Sequence, residues 1–184
     1  IGPQTSIGNM YLGPLYYYLV APSLLIFGLN PVGPAIMVAL LGVLTVWLTW
    51  YVGRNWFGKV AGLIAALLFA ISPVAIIYSR SSWNPNPMPL FSLLCIFGIY
   101  EVWHNKKYFW LPLIAVFFAF ALQMHYLGLL LIPVIGLFWY ISLQKIKRDK
   151  TLKQKFIKLT LIGIFLFLFL MSPLVLFDLK HQGM

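Results

Sequence analysis

Six stretches of the chain are apolar on every side and are separated by short polar gaps: residues 31–52, 60–78, 88–103, 108–122, 126–143 and 159–177. Continuous apolarity over such lengths excludes half-buried strands, which alternate and are short. Each run is long enough, or nearly so, to cross about 30 Å of hydrocarbon as a helix. Glycine and proline inside the runs (Gly42, Pro73, Gly98, Pro112, Pro133, Gly163, Pro173) are tolerated in membrane helices and predict kinks. Trp50, Tyr51, Tyr78, Trp103, Tyr108, Trp139 and Tyr140 stand at run ends, where interfacial aromatics gather. The pattern therefore predicts an all-α polytopic transmembrane bundle of six spanning helices.

A seventh run, residues 11–29, carries Gly13, Pro14 and Pro22 and a cluster of Tyr16, Tyr17 and Tyr18. Two prolines and that cluster suit a helix lying in the interface. A seventh spanning helix with an aromatic cap fits the same residues.

Composition agrees with a membrane domain. Of 184 residues, 62% are hydrophobic and 9% charged, too few polar side chains to cover a water-soluble globule. Cys95 is the one cysteine, which excludes an internal disulfide scaffold. The net charge of +10 would suit nucleic acid, but its placement does not. Eleven of the thirteen basic residues fall in the gaps at 53–59, 104–107 and 144–158, which share one side if each run crosses once. The positive-inside rule makes that side cytoplasmic. The chain then reads as a single membrane domain, with 144–158 a basic cytoplasmic linker that forms an amphipathic surface helix on anionic headgroups.

The soluble catalytic signatures are missing: no phosphate loop, dinucleotide fingerprint, zinc spacing or nucleophile elbow. The acids are Glu101, Asp149 and Asp178. Asp149 lies among lysines and reads as a charge partner, and Glu101 as a snorkelling helix-end residue. The extracytoplasmic side is more informative. Arg80 follows an apolar run against the positive-inside trend, and a guanidinium there can clamp a phosphate bidentately. Trp83 offers a flat face, and Asn84 and Asn86 offer neutral donors and acceptors. Pro85, Pro87 and Pro89 stiffen the loop. Gln123-Met-His-Tyr126 sets His125 at the membrane surface, where it can hydrogen-bond a phosphate. Phe177-Asp-Leu-Lys-His181 brings Asp178 and His181 to the same side. The plain structural reading of these segments is a helix connector, an interfacial histidine and a polar exit from the membrane.

Together these residues resemble a known family. Gly13-Pro-Leu-Tyr-Tyr-Tyr-Leu19 with Phe27-Gly28, then Gly53-Arg-Asn-Trp-Phe-Gly58, Ala61-Gly-Leu-Ile-Ala-Ala66, Ser72-Pro73, Ser79-Arg80 and Pro173-Leu-Val-Leu-Phe-Asp178 with His181 follow an order similar to that of GT-C membrane glycosyltransferases. The likeness is to glycosyltransferase family 39, the protein O-mannosyltransferases and the lipid A aminoarabinose transferases. It implies a partial GT-C fold and sugar transfer from a polyprenyl-phosphate donor to an extracytoplasmic protein, lipid or glycan acceptor at the cell envelope. It implies donor-phosphate contacts from Arg80 and His125, and substrate contacts from Tyr16, Tyr17, Tyr18, Trp83, Asn84, Asn86, Asp178 and His181. It places residues 11–29 along the extracytoplasmic surface and 1–10 in an extracytoplasmic loop. A divalent cation (Mg or Mn) often accompanies the family's site, but neutral Asn84 and Asn86 stand where a carboxylate is usual. The resemblance sets the catalytic carboxylate upstream of Ile1 and further helices beyond Met184, so the chain reads as a piece of a longer protein, inactive alone. A transporter or flippase of lipid-linked sugars explains the apolar helices equally well. That alternative predicts polar residues along a path at mid-membrane depth, for which Thr45, Thr49, Ser92 and Thr160 are modest candidates.

Overall fold

A computed structural model describes residues 2–3 and 11–180, apart from the side chain of Asp178. The described residues form helices α1 (Leu15–Ile26), α2 (Val32–Phe57), α3 (Lys59–Ala70), α4 (Pro73–Ser79), α5 (Met88–Trp103), α6 (Trp110–Met124), α7 (Leu131–Ile146) and α8 (Lys150–Lys180), with a 3-10 turn over Tyr126–Leu130 leading into α7. Three helical stretches are long and apolar enough to cross a membrane: Val32–Phe57, Tyr126–Ile146 and Lys150–Phe177. A fourth would join α3 to α4 across a bend of 61°. The protein is thus a helical membrane protein with three to four candidate spans. The two remaining runs form α5 and α6, of 16 and 15 residues. At 1.5 Å per residue they reach roughly 24 and 22 Å, short of the hydrocarbon thickness. Helix α1 has 12 residues and is shorter still.

The kink predicted at Pro73 is the sharp one. Proline forces the preceding residue out of the helical region, and Ser72 is extended (φ −61°, ψ 121°). Its hydroxyl then accepts from the Ala75 amide, and Pro73 starts α4 where its missing N–H costs nothing. At Pro173 the chain stays helical. The Phe169 carbonyl, which a residue-173 N–H would have bonded, instead accepts from the Ser172 hydroxyl at 2.7 Å.

The predicted basic gap at 53–59 is mostly helix. Helix α2 runs to Phe57, with Arg54 lying 5.2 Å over the Trp50 ring, and Gly58 alone (φ 98°) reverses the chain into α3. The two helices touch backbone to backbone. A Cβ on Gly53 would stand 2.8 Å from the Gly62 Cα, and one on Gly62 would stand 2.7 Å from the Trp50 carbonyl oxygen. Small residues at helix crossings permit this approach in membranes. Gly62→Leu is therefore expected to force the hairpin apart, at about 1–3 kcal/mol or more. Gly136→Ala is the control, because nothing lies within 4 Å of its added Cβ. Thermal denaturation in detergent, followed by size exclusion, should show a lower midpoint for Gly62→Leu only.

The core lies between α5, α6 and α8, where Cys95, Ala119, Ala121, Met124 and Phe156 are fully buried. At the basic end the structure corrects three expectations. Residues 144–158 are no separate surface helix: Gln144–Ile146 finish α7, a short turn follows, and Lys150 already begins α8. Asp149 is no charge partner. Its carboxylate accepts from the Leu152 amide at 2.9 Å and caps α8. Glu101 does not snorkel. It is buried, accepts from the Asn105 side chain at 2.8 Å and pairs with Lys107 Nζ at 2.8 Å. The hydrogen bond and then the charge of Glu101 hold the Lys107 ammonium above its ordinary pKa.

Candidate functional site

The opposite end collects the start of α1, the 80–89 loop, the α6–α7 junction and the end of α8. Four contacts tie these segments together. Tyr16 OH and Ser82 Oγ share a hydrogen bond of 2.7 Å, Asn84 Nδ2 donates to the Met124 carbonyl at 2.8 Å, and Gln123 joins α1 to α8. The Tyr11 ring meets Phe177 edge-on at 5.4 Å. The polar segments that the sequence sets on one side are therefore neighbours in space.

The loop owes its shape to helix ends. A helix leaves its last carbonyls without intrahelical partners. Asn84, buried, caps the Met124 carbonyl at the end of α6. Asn86 Nδ2 donates to the Tyr78 carbonyl at 2.6 Å and the Ser81 carbonyl at 2.8 Å, folding the loop back on α4. Trp83, just before them, stays half-exposed (52%), tilted against Tyr78 with ring centroids 5.9 Å apart. Arg80, the residue after α4, is exposed; its backbone N–H donates to the Ile77 carbonyl, and its guanidinium has no hydrogen bond or ion pair among the described residues.

Trp83 and Asn86 line one groove of about 270 Å³, together with Thr45, Ser72, Tyr78, Ser79 and the apolar Val38, Phe69 and Val74. The α3–α4 break opens it, since Ser72 and Ser79 bracket the kinked helix. The groove joins an aromatic platform and hydroxyls to an apolar floor, and Arg80, whose guanidinium has no partner among the described residues, directly follows the lining residue Ser79 in the chain.

Other expected site residues are used by the fold or separated from it. Successive helical residues point about 100° apart, so Tyr16, Tyr17 and Tyr18 cannot share a face. Tyr16 is buried, and that burial raises its phenol pKa while the Ser82 hydrogen bond partly lowers it. Tyr17 and Tyr18 are exposed. His125 Nδ1 accepts from the Leu127 amide at 3.2 Å and starts the 3-10 turn, so the neutral ring carries its proton on Nε2. The Asp178 side chain and His181 lie outside the described residues.

Gln123 had no assigned role in the sequence. It is buried, its Oε1 accepting from the Leu15 amide at 3.2 Å and its Nε2 donating to the Leu170 carbonyl at 3.2 Å. A buried amide in an apolar run needs such partners, which is the signal that marks it. Among the described residues no group of three His, Cys, Asp or Glu could hold a metal ion. The side-chain nitrogens of Asn84 and Asn86 donate to carbonyls, and no step below runs through a metal ion.

Comparison with known proteins matches residues 12–177 to the model of the dolichyl-phosphate-mannose-protein mannosyltransferase family. An uncharacterized protein of Aquifex aeolicus (strain VF5) is 35% identical over 105 residues, 55% of this chain and 21% of the relative. The putative mannosyltransferase YkcB of Bacillus subtilis (strain 168) is 28% identical over 149 residues, 79% of this chain and 20% of the relative. The chain spans about a fifth of the length of these curated relatives. No solved structure matches it.

Proposed function

This chain belongs to the dolichyl-phosphate-mannose-protein mannosyltransferase family, and we propose that the whole protein moves a hexose or pentose from a polyprenyl-phosphate donor to an extracytoplasmic protein, lipid or glycan acceptor. The supporting observation is the exposed Arg80, its guanidinium unpaired among the described residues, one residue beyond Ser79 in the wall of the groove that holds Trp83, Tyr78 and Asn86. As the sugar leaves, negative charge gathers on the prenyl phosphate. A planar guanidinium aimed there stabilises the developing charge more than the ground state. His125 Nε2 supplies a second donor from the same end. Trp83 presents an apolar face to a sugar ring or prenyl chain, and the groove floor suits an alkyl chain at interface depth. The acceptor's activating carboxylate belongs to the longer protein.

On this reading all six apolar runs cross, α5 and α6 being completed by the loops beside them. The end that carries eleven of the thirteen basic residues is cytoplasmic, and the Arg80 loop faces outside. The transporter alternative finds three of its four candidate hydroxyls already engaged. Those of Thr45, Thr49 and Thr160 donate to carbonyls of their own helices at 2.7, 2.7 and 2.9 Å, and the buried Ser92 hydroxyl alone among the four has no hydrogen-bond partner among the described residues.

The direct test is transfer from a synthetic polyprenyl-phosphate mannose by the purified full-length protein, followed as labelled sugar leaving the lipid phase. Movement of the intact donor across a vesicle without bond cleavage would refute the proposal. Orientation has its own prediction. With Cys95 replaced, a cysteine at Ser82 should react with an impermeant thiol reagent in intact cells, and cysteines at Lys107 and Lys150 should not. Labelling at Lys150 but not Ser82 would invert the assignment.

A further inference from the structure

An apolar cavity of about 210 Å³ lies at the basic end, where α5, α6, α7 and α8 meet. Its walls include Ile114, Phe118, Ile135, Phe138 and Ile164. The polar atoms there are already paired, with Trp139 Nε1 donating to the Thr160 hydroxyl at 3.0 Å and that hydroxyl to its own helix. Ordered water, which needs several polar partners, has no seat in it. Ile164 is 50% exposed while lining the cavity, so the space opens sideways at α8.

A cation stands over this space. Lys145 follows Phe138 by two turns on the same face of α7, about 10 Å further along the axis. Its Nζ lies 4.8 Å from the Trp103 ring centroid and donates to the Trp103 carbonyl at 3.4 Å, and Trp103 packs on Phe138 at 5.2 Å. An ammonium has three protons, so this contact leaves Lys145 two donors. The carboxylates at this end are engaged elsewhere, Glu101 with Lys107 and Asn105, and Asp149 with the start of α8. Nearby on α8, Lys150, Lys153 and Lys158 share an open face with Leu161, Ile162 and Phe165. Cation above apolar surface is the order of an anionic lipid read from headgroup to tail.

We propose that this end binds an anionic bilayer phospholipid, with one acyl chain entering the cavity beside Phe138 and Ile164 and the headgroup phosphate held by Lys145. The site is at the opposite end from the Arg80 groove and does not depend on the glycosyl-transfer reading.

Native mass spectrometry of the full-length protein tests it, after incubation with equal amounts of phosphatidylglycerol and phosphatidylcholine of identical chains. Retention of phosphatidylglycerol is expected to exceed that of phosphatidylcholine by about fivefold, the factor that one lysine near an anionic headgroup supplies. Lys145→Ala should bring the ratio towards one, and Lys145→Arg should keep it. Ile164→Trp, at the exposed rim, and Ile135→Phe, inside, should each lower retention of both lipids. Equal retention of the two lipids by the wild type, or a ratio untouched by Lys145→Ala, would overturn the headgroup contact. Retention unchanged in both filling variants would overturn the acyl-chain seat and point to the rest of the protein as what fills the cavity.

Discussion

Arg80→Ala in the full-length protein is expected to lower sugar transfer by about 10²–10³, the loss that follows removal of one transition-state charge donor. Arg80→Lys should retain more activity, because it keeps the charge and loses only the planar fork. The fold should not suffer, since Arg80 is exposed and its side chain bonds no other described residue. Removing an exposed, unpaired side chain normally changes stability by no more than about 0.5 kcal/mol. The two ways in which the variant could fail therefore separate cleanly. A phosphate contact predicts normal yield and melting with low specific activity. A purely topological arginine predicts poor insertion and normal specific activity in the fraction that inserts. Transfer from a synthetic prenyl-phosphate sugar, normalised to folded protein in detergent, distinguishes them. Equal specific activity for wild type and Arg80→Ala would remove Arg80 from the site.

The same loop shows where sequence reading succeeds and where it stops. Counting apolar runs sets Arg80, His125 and Phe177 on one side if each run crosses once, and contacts between Tyr16 and Ser82, Asn84 and Met124, and Tyr11 and Phe177 bring those segments together. The division of labour within Asn84-Pro-Asn86 was not legible. Both asparagines look like free polar groups beside prolines. Which carbonyls they meet depends on where α4 and α6 end, and Met124 comes from 40 residues away. Burial by a distant helix end turns Asn84 into a brace, while Asn86 braces its own loop and still lines the groove.

Helix ends were misjudged for a related reason. Charge marks a membrane boundary but not a helix boundary. Arg54 rests its guanidinium over Trp50 and lets α2 continue to Phe57, and the lysines after Asp149 already lie in α8. The lengths of α5 and α6 depend on how the Pro87 and Lys107 turns are built, which the hydrophobic pattern does not encode. By contrast, the Pro73 break was legible because proline acts locally, on the residue before it and on the carbonyl four residues back.

Gln123 gives the largest stability effect expected at the site end. Its carboxamide satisfies one group that a helix cannot satisfy itself and ties it to a second helix. The Leu15 amide belongs to the first turn of α1, where N–H groups have no intrahelical partner, and the Leu170 carbonyl belongs to α8. Gln123→Leu keeps the volume, leaves the Leu15 amide unpaired at about 1–3 kcal/mol, and removes the tie to α8. A fall of several degrees in the melting midpoint is expected, with α1 loosened first. Gly13 provides the second half of the test. A Cβ there would collide with the Gln123 side chain, so Gly13→Ala should also destabilise. The two effects share one cause and should not add. In a Gln123→Ala background the obstructing carboxamide is gone, and Gly13→Ala should cost little. A double-mutant cycle on thermal midpoints measures this coupling. Strict additivity would mean that Gly13 and Gln123 are not packed against each other, and that α1 is held to the bundle by Tyr16 and Ser82 without them.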